Sequence, residues 1–171
     1  MKTKLGSNTA KERKKLIKQC DDLVSLIVRK RDRYCVTCGT KERLTCSHLI
    51  KRGRAATRFN LINCNCQCAS CNFRHNSYPE YYTNWFLIRY NTEEFRVLVK
   101  QASEPKKWSL LELRELKENL QKQLRDLEEN SKDFGEVQYN SRNSENPFED
   151  ALQSTNSAKT CYGTAKAVRG L

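Results

Sequence analysis

Two C-x-x-C knuckles restrict this chain more than any other feature: Cys35-Val-Thr-Cys38 and Cys68-Ala-Ser-Cys71, with 29 residues between them. Each knuckle presents two thiolates to one ion, and together they complete a tetrahedral four-thiolate site for structural zinc. A chain pinned at four sulfurs must bring residues 35 and 71 together, so the interval becomes a small closed unit. Gly39, directly after the first knuckle, suits the tight turn that such a site needs. The alternative is that these cysteines stay reduced and pack as small apolar side chains. The interval is longer than in the simplest zinc ribbons, which leaves room for a functional element.

That interval has an unusual composition. Residues 44–72, LTCSHLIKRGRAATRFNLINCNCQCASCN, hold five cysteines, four asparagines and one histidine. Neither Asp nor Glu occurs between Glu42 and Glu80. Two short strands and a helix are expected over 35–76, tied by metal rather than by a conventional core. If 62–68 is a strand, Cys64, Cys66 and Cys68 share one face, and Asn63, Asn65 and Gln67 share the other. Cys64 and Cys66 then read as buried filler in preference to competing ligands. Cys20, Cys46 and Cys161 show no pairing logic. The basic loop carrying Lys51, Arg52, Arg54 and Arg58, with Arg74 beyond it, suits a phosphate backbone and has no carboxylate to repel one. The other reading is a solvated basic loop with no partner.

Charge extends the same theme. Residues 1–58 hold 17 Lys/Arg against 5 Asp/Glu, while residues 59–171 hold 15 of each. The whole net charge of +12 therefore sits in the first third, which points to a polyanion partner, the other reading being a generally solubilising basic surface. No apolar run approaches the roughly 20 residues that cross a bilayer. The N-terminus lacks the apolar segment of a signal peptide. The expectation is a soluble cytoplasmic protein with no membrane partner, in a compartment where cysteines stay reduced.

The remainder reads as helices and arms. Residues 1–10 are expected to be a disordered basic arm, and 11–130 the folded domain. Leu16, Cys20, Leu23 and Ile27 have helical spacing. Residues 78–102 predict two helical segments with a break near Asn91. Ser109, three residues before Glu112, predicts a capping box opening a helix over 109–130. Its stripe of Leu110, Leu113, Leu116, Leu120, Leu124 and Leu127 is expected to pack on the preceding helices, with a homodimeric coiled coil as the other option. Residues 131–171 are polar and aperiodic, and read as a disordered tail.

Taken in order, C-x-x-C, then Ser47-His48, then Asn63, then Cys68-Ala-Ser-Cys71-Asn72 resembles the HNH (ββα-metal) nucleases in a zinc-stapled form. The closest resemblance is to the phage NinG/Rap recombination endonucleases, over roughly residues 26–127. It implies an α+β fold with a small ββα-metal core flanked by helices. It also implies a metal-dependent DNA endonuclease acting on branched or flapped recombination intermediates. His48 would be the general base and Asn63 the residue that orients its ring. Asn72 would ligate a catalytic Mg²⁺ or Mn²⁺, with Ser47 and His75 as further candidate ligands. Ser47 stands where many of these enzymes carry Asp, and Asn72 where many carry His. The alternative function is a zinc-stabilised nucleic-acid-binding module that cleaves poorly or not at all. A nuclease of restriction or intron homing is a third, for which added DNA-reading domains are not evident.

Overall fold

The computed structural model describes residues 4–133, with side chains over 8–130. Its elements in chain order are α1 (Lys4–Asp32), β1 (Leu44–His48), β2 (Cys64–Cys68), α2 (Ala69–Arg74), α3 (Pro79–Ser103) and α4 (Leu110–Asp133). The architecture is thus four helices around one two-stranded antiparallel sheet. Helix α1 begins at Lys4, so residues 4–10 of the stretch expected to be a disordered arm are helical, and residues 1–3 lie outside the described residues. The polar tail expected at 131–171 falls almost entirely outside the described residues.

Helices α1 and α4 form the largest apolar contact. Leu16, Cys20, Val24, Ile27 and Val28 of α1 are buried with Leu113 and Leu120 of α4. Glu12 pairs with Arg114 and Lys30 with Glu128, so the two helices run in the same direction. The α4 stripe is therefore engaged within one chain, with Leu110, Leu116 and Leu124 packed on the same core. A homodimer through that stripe would have to separate it from α1. Cys20 has a role here as well: its Sγ lies 3.7 Å from the Leu113 carbonyl, and burial pushes the thiol up to about 11.

Local signals set the other helices. The Ser109 hydroxyl accepts from the Glu112 amide at 3.1 Å, and the Glu112 carboxylate accepts from the Ser109 amide at 2.7 Å. These two bonds are the reciprocal capping box. Asn91 breaks α3 at φ 75, and its carboxamide oxygen accepts from the amides of Glu93 and Glu94 to start the second segment. The break predicted near Asn91 is thus a side-chain cap inside a merged helix. The first half of α3 buries Tyr82 and Phe86 beside Leu49 and Leu98 in a second core.

The hairpin register pairs Leu44 with Cys68, Thr45 with Gln67, Cys46 with Cys66, Ser47 with Asn65 and His48 with Cys64. Alternation then gives the faces expected of the second strand. Cys64 and Cys66 turn toward α1 and α4, with Leu44 and Cys46 beside them. Thr45, Ser47, Asn65 and Gln67 occupy the opposite face, under α2 and α3. The outer edge of β2 is also covered: the Cys66 amide donates to the Asp32 carboxylate at 2.7 Å, and its carbonyl accepts from the Val36 amide at 2.8 Å.

Candidate metal centre

Two clusters of metal-ligating side chains occur among the described residues. In the first, the sulfurs of Cys35, Cys38, Cys68 and Cys71 lie within 4.8 Å of one another. The first knuckle is closed by Gly39 N–H donating to the Cys35 carbonyl and Cys35 N–H donating to the Thr40 carbonyl, at 2.8 and 2.7 Å. Gly39 adopts φ 75, the left-handed region where a Cβ is costly. The second knuckle straddles the end of β2, where Cys68 caps α2 and its sulfur accepts from the Cys71 amide at 3.4 Å. Cys38 and Cys68 sulfurs stand 3.8 Å apart. Two sulfurs each about 2.3 Å from one ion at the tetrahedral angle would be separated by about 3.8 Å, so these four residues can hold a metal ion such as zinc.

The second cluster brings one ring nitrogen of His48 together with the sulfurs of Cys46 and Cys64, again within 4.8 Å. The Nε2 atom of His48 lies 2.9 Å from the Arg58 carbonyl. A carbonyl only accepts, so that nitrogen carries the proton and Nδ1 keeps the lone pair. Burial lowers the pKa of His48, the Arg58 carbonyl opposes that shift, and the nearby Arg52 charge reinforces it. The ring is therefore neutral around pH 7.

Asn63 does not orient that ring. Its carboxamide is fully buried, accepts from the Ile50 amide at 2.8 Å and donates to the Ile50 and Thr57 carbonyls at 3.0 Å each. Its bonds all go to backbone groups of the 50–57 loop, and the His48 Nε2 is taken by the Arg58 carbonyl. Asn63 instead closes the loop that carries Lys51, Arg52 and Arg54, and the Arg58 backbone takes the role expected of it.

Asn72 is similarly occupied. Its Oδ1 accepts from the Ser47 hydroxyl and its Nδ2 donates to the Thr45 hydroxyl, both at 3.0 Å. Two of the three residues expected at a catalytic ion, Ser47 and Asn72, thus bond to each other and fasten α2 to β1. Ser47 is buried. His75 turns elsewhere, with Nε2 3.2 Å from the Leu49 carbonyl and its ring edge-on to Tyr82. Its Nδ1 is buried with no hydrogen-bond partner. The contact with Leu49 sets the last turn of α2 beside the start of the basic loop.

Lys51, Arg52, Arg54 and Arg74 are exposed. Arg58 differs, because its guanidinium grips Asp21 of α1 through bonds of 2.9 and 2.6 Å. That ion pair is partly buried and leaves Arg58 as a tie between loop and helix rather than a free cation. The reason is one of sequence distance: Asp21 lies far from the loop along the chain, and only the fold brings it near.

Several contributors gave no usable signal in the sequence. Arg31 donates to the Leu61 and Cys64 carbonyls and to the Asn65 carboxamide oxygen, at 2.9 to 3.0 Å. It anchors the end of α1 to the entry of β2, yet reads as one more basic residue. Cys46 was legible in principle, since it stands two residues before His48 on one strand and must share its face.

No helix among the described residues is long and apolar enough to cross a membrane. A family model described as Bacteriophage Lambda NinG protein matches residues 1–130. Neither the curated proteins nor the solved structures give a match.

Proposed function

We propose, from the premise that the chain belongs to the bacteriophage lambda NinG family, that it is a metal-dependent DNA endonuclease of phage recombination with His48 as general base. The observation that carries this reading is the His48 ring. One nitrogen is fixed as a donor by the Arg58 carbonyl, and burial favours the neutral form. A neutral imidazole with a fixed tautomer takes a proton from an attacking water near neutral pH. The strand–strand–helix order of β1, β2 and α2, with a four-sulfur cluster at its end, agrees with an HNH-like core.

Lys51, Arg52 and Arg54 are exposed on the loop that follows His48, and Arg74 is exposed in the last turn of α2. Their charge would hold a phosphate backbone beside the ring without reading bases. A bound Mg²⁺ or Mn²⁺ would supply charge stabilisation at the phosphate and leaving oxygen. Ser47 and Asn72 would reach such an ion only by giving up their mutual bond. Water and substrate phosphate would therefore make up most of its shell. Branched or flapped recombination DNA is the substrate class that the resemblance implies. The alternative, a zinc-stabilised binding module, is favoured by one observation: neither metal-capable cluster contains a carboxylate.

Cleavage of branched DNA with Mg²⁺ or Mn²⁺ by wild type and His48→Ala decides between them. Loss of about 10²- to 10⁴-fold in the variant, with binding intact, is the expected result. An inert wild type that still binds tightly overturns the nuclease. Replacing Lys51, Arg52 and Arg54 together by Ala should reduce the slope of log affinity against log salt by up to about 3. Arg58→Ala should leave that slope unchanged while lowering stability.

A further inference from the structure

The cluster of Cys46, His48 and Cys64 is separate from the four-cysteine clamp, and it adds an imidazole to two sulfurs of the apolar core. Cys66, two residues after Cys64 on the same face of β2, is fully buried and lies opposite Cys46 rather than an imidazole. Cys64 is also fully buried, but it faces His48 directly across the hairpin, and Cys46 shares the His48 face two residues earlier. A ring nitrogen and two sulfurs thus converge within 4.8 Å.

A fourth donor is already in place. The Arg58 carbonyl oxygen lies 2.9 Å from His48 Nε2 and 3.6 Å from the Cys64 sulfur. Bond lengths of about 2.3 Å to sulfur and about 2.0 Å to nitrogen imply donor–donor edges of roughly 3.3 to 3.8 Å in a tetrahedral site. The cluster therefore closes on an ion by small movements of three side chains. The hydrogen bond at Nε2 would yield to the ion, or the other ring nitrogen would turn toward it.

The donor set also fixes the class of ion. Two thiolates and an imidazole suit Zn²⁺ or another thiophilic divalent ion, not Mg²⁺, which takes oxygen ligands. The carboxylate whose charge acts on all three residues, Asp21, is held by Arg58. Cys46 and His48 are half-buried, whereas Cys64 is fully buried.

We infer that Cys46, His48 and Cys64 form a second metal site for a thiophilic divalent ion, on the face of the hairpin opposite Ser47 and Asn72. An ion there occupies the His48 imidazole, so metal binding and proton transfer at that ring exclude each other. The site itself does not depend on the nuclease reading, and its test is a metal count.

The full chain carrying Cys161→Ser, reduced with a phosphine and stripped of metal, is titrated with Co²⁺ while thiolate-to-cobalt absorption is followed. Two equivalents are expected, the first with the spectrum of a four-sulfur site and the second with a weaker thiolate band. Adding Cys46→Ser and Cys64→Ser should remove the second equivalent alone, and His48→Gln should weaken it. One equivalent in the protein with both clusters intact overturns the site, and so does a second equivalent that survives Cys46→Ser and Cys64→Ser. If that double variant does not fold, His48→Gln decides: an unchanged second equivalent overturns the site. Loss of DNA cleavage, or its absence, moves none of these counts.

Discussion

The two faces of the hairpin bury side chains of opposite kinds. Toward α1 and α4 the strands present sulfur and apolar surface, with Cys64 and Cys66 among Val24, Val28, Phe59 and Leu113. Toward α2 and α3 they present Ser47, Asn65 and Gln67, each at most 1% exposed. The polar face holds because its bonds are nearly complete. Asn65 donates to the Ile62 carbonyl and the Tyr82 hydroxyl and accepts from Arg31, while Gln67 donates to the Thr37 hydroxyl. Gln67 Oε1 is the one strand side-chain oxygen there that lacks a partner. An apolar face tolerates the loss of an atom in proportion to volume, whereas a polar face loses the partners of every group removed.

The clamp joins the faces, so it should give the largest effect. Cys68 ends β2 on the sulfur face, and its Sγ caps the helix that covers the polar face. Structural zinc is worth an apparent ~10–16 kcal/mol in small domains at neutral pH. Cys68→Ser, or chelation, should release metal and melt residues 35–78. Helices α1 and α4 keep their mutual apolar contact, so most far-UV helical signal should survive. Metal analysis and circular dichroism together check this. Unchanged metal content would remove the four-sulfur assignment, and complete loss of helix would show that the faces are not separable.

Asn65→Ala comes next. It leaves the Arg31 guanidinium one acceptor short and removes a partner of the Tyr82 hydroxyl, both at buried or half-buried sites. The expected cost is about 3 kcal/mol, because hydrogen bonds to a charged group are at the upper end of the range and the orphaned partners stay desolvated. Urea unfolding with an unchanged m-value would measure it.

The sequence made the periodic and short-range parts of this molecule legible. The knuckles, the alternating faces of β2, the Ser109–Glu112 cap and the break at Asn91 each depend on residues a few positions apart. What it hid depends on distant partners. The family resemblance implies Asn63 as the residue that orients His48. The fold instead curls the Ile50–Thr57 loop around the carboxamide and turns the Arg58 carbonyl to the ring. Arg58 looked like a phosphate contact until Asp21 of α1 came within reach. The same resemblance implies Asn72 as an ion ligand, but Ser47 and Thr45 lie opposite it in the folded hairpin.

Cys66→Ala should give the smallest effect and is the direct test of the contrast between faces. The sulfur is fully buried in the apolar cluster, while the Asp32 and Val36 bonds at this position belong to the backbone and remain. Only the volume of one sulfur is lost, at a cost of about 1 kcal/mol including the small cavity. The same urea series should therefore rank Asn65→Ala above Cys66→Ala by about 2 kcal/mol, the difference between unpairing buried polar groups and removing packing volume. A reversed order would mean that the thiol of Cys66 bonds or ligates something, and that the sulfur face is no mere filler at this position.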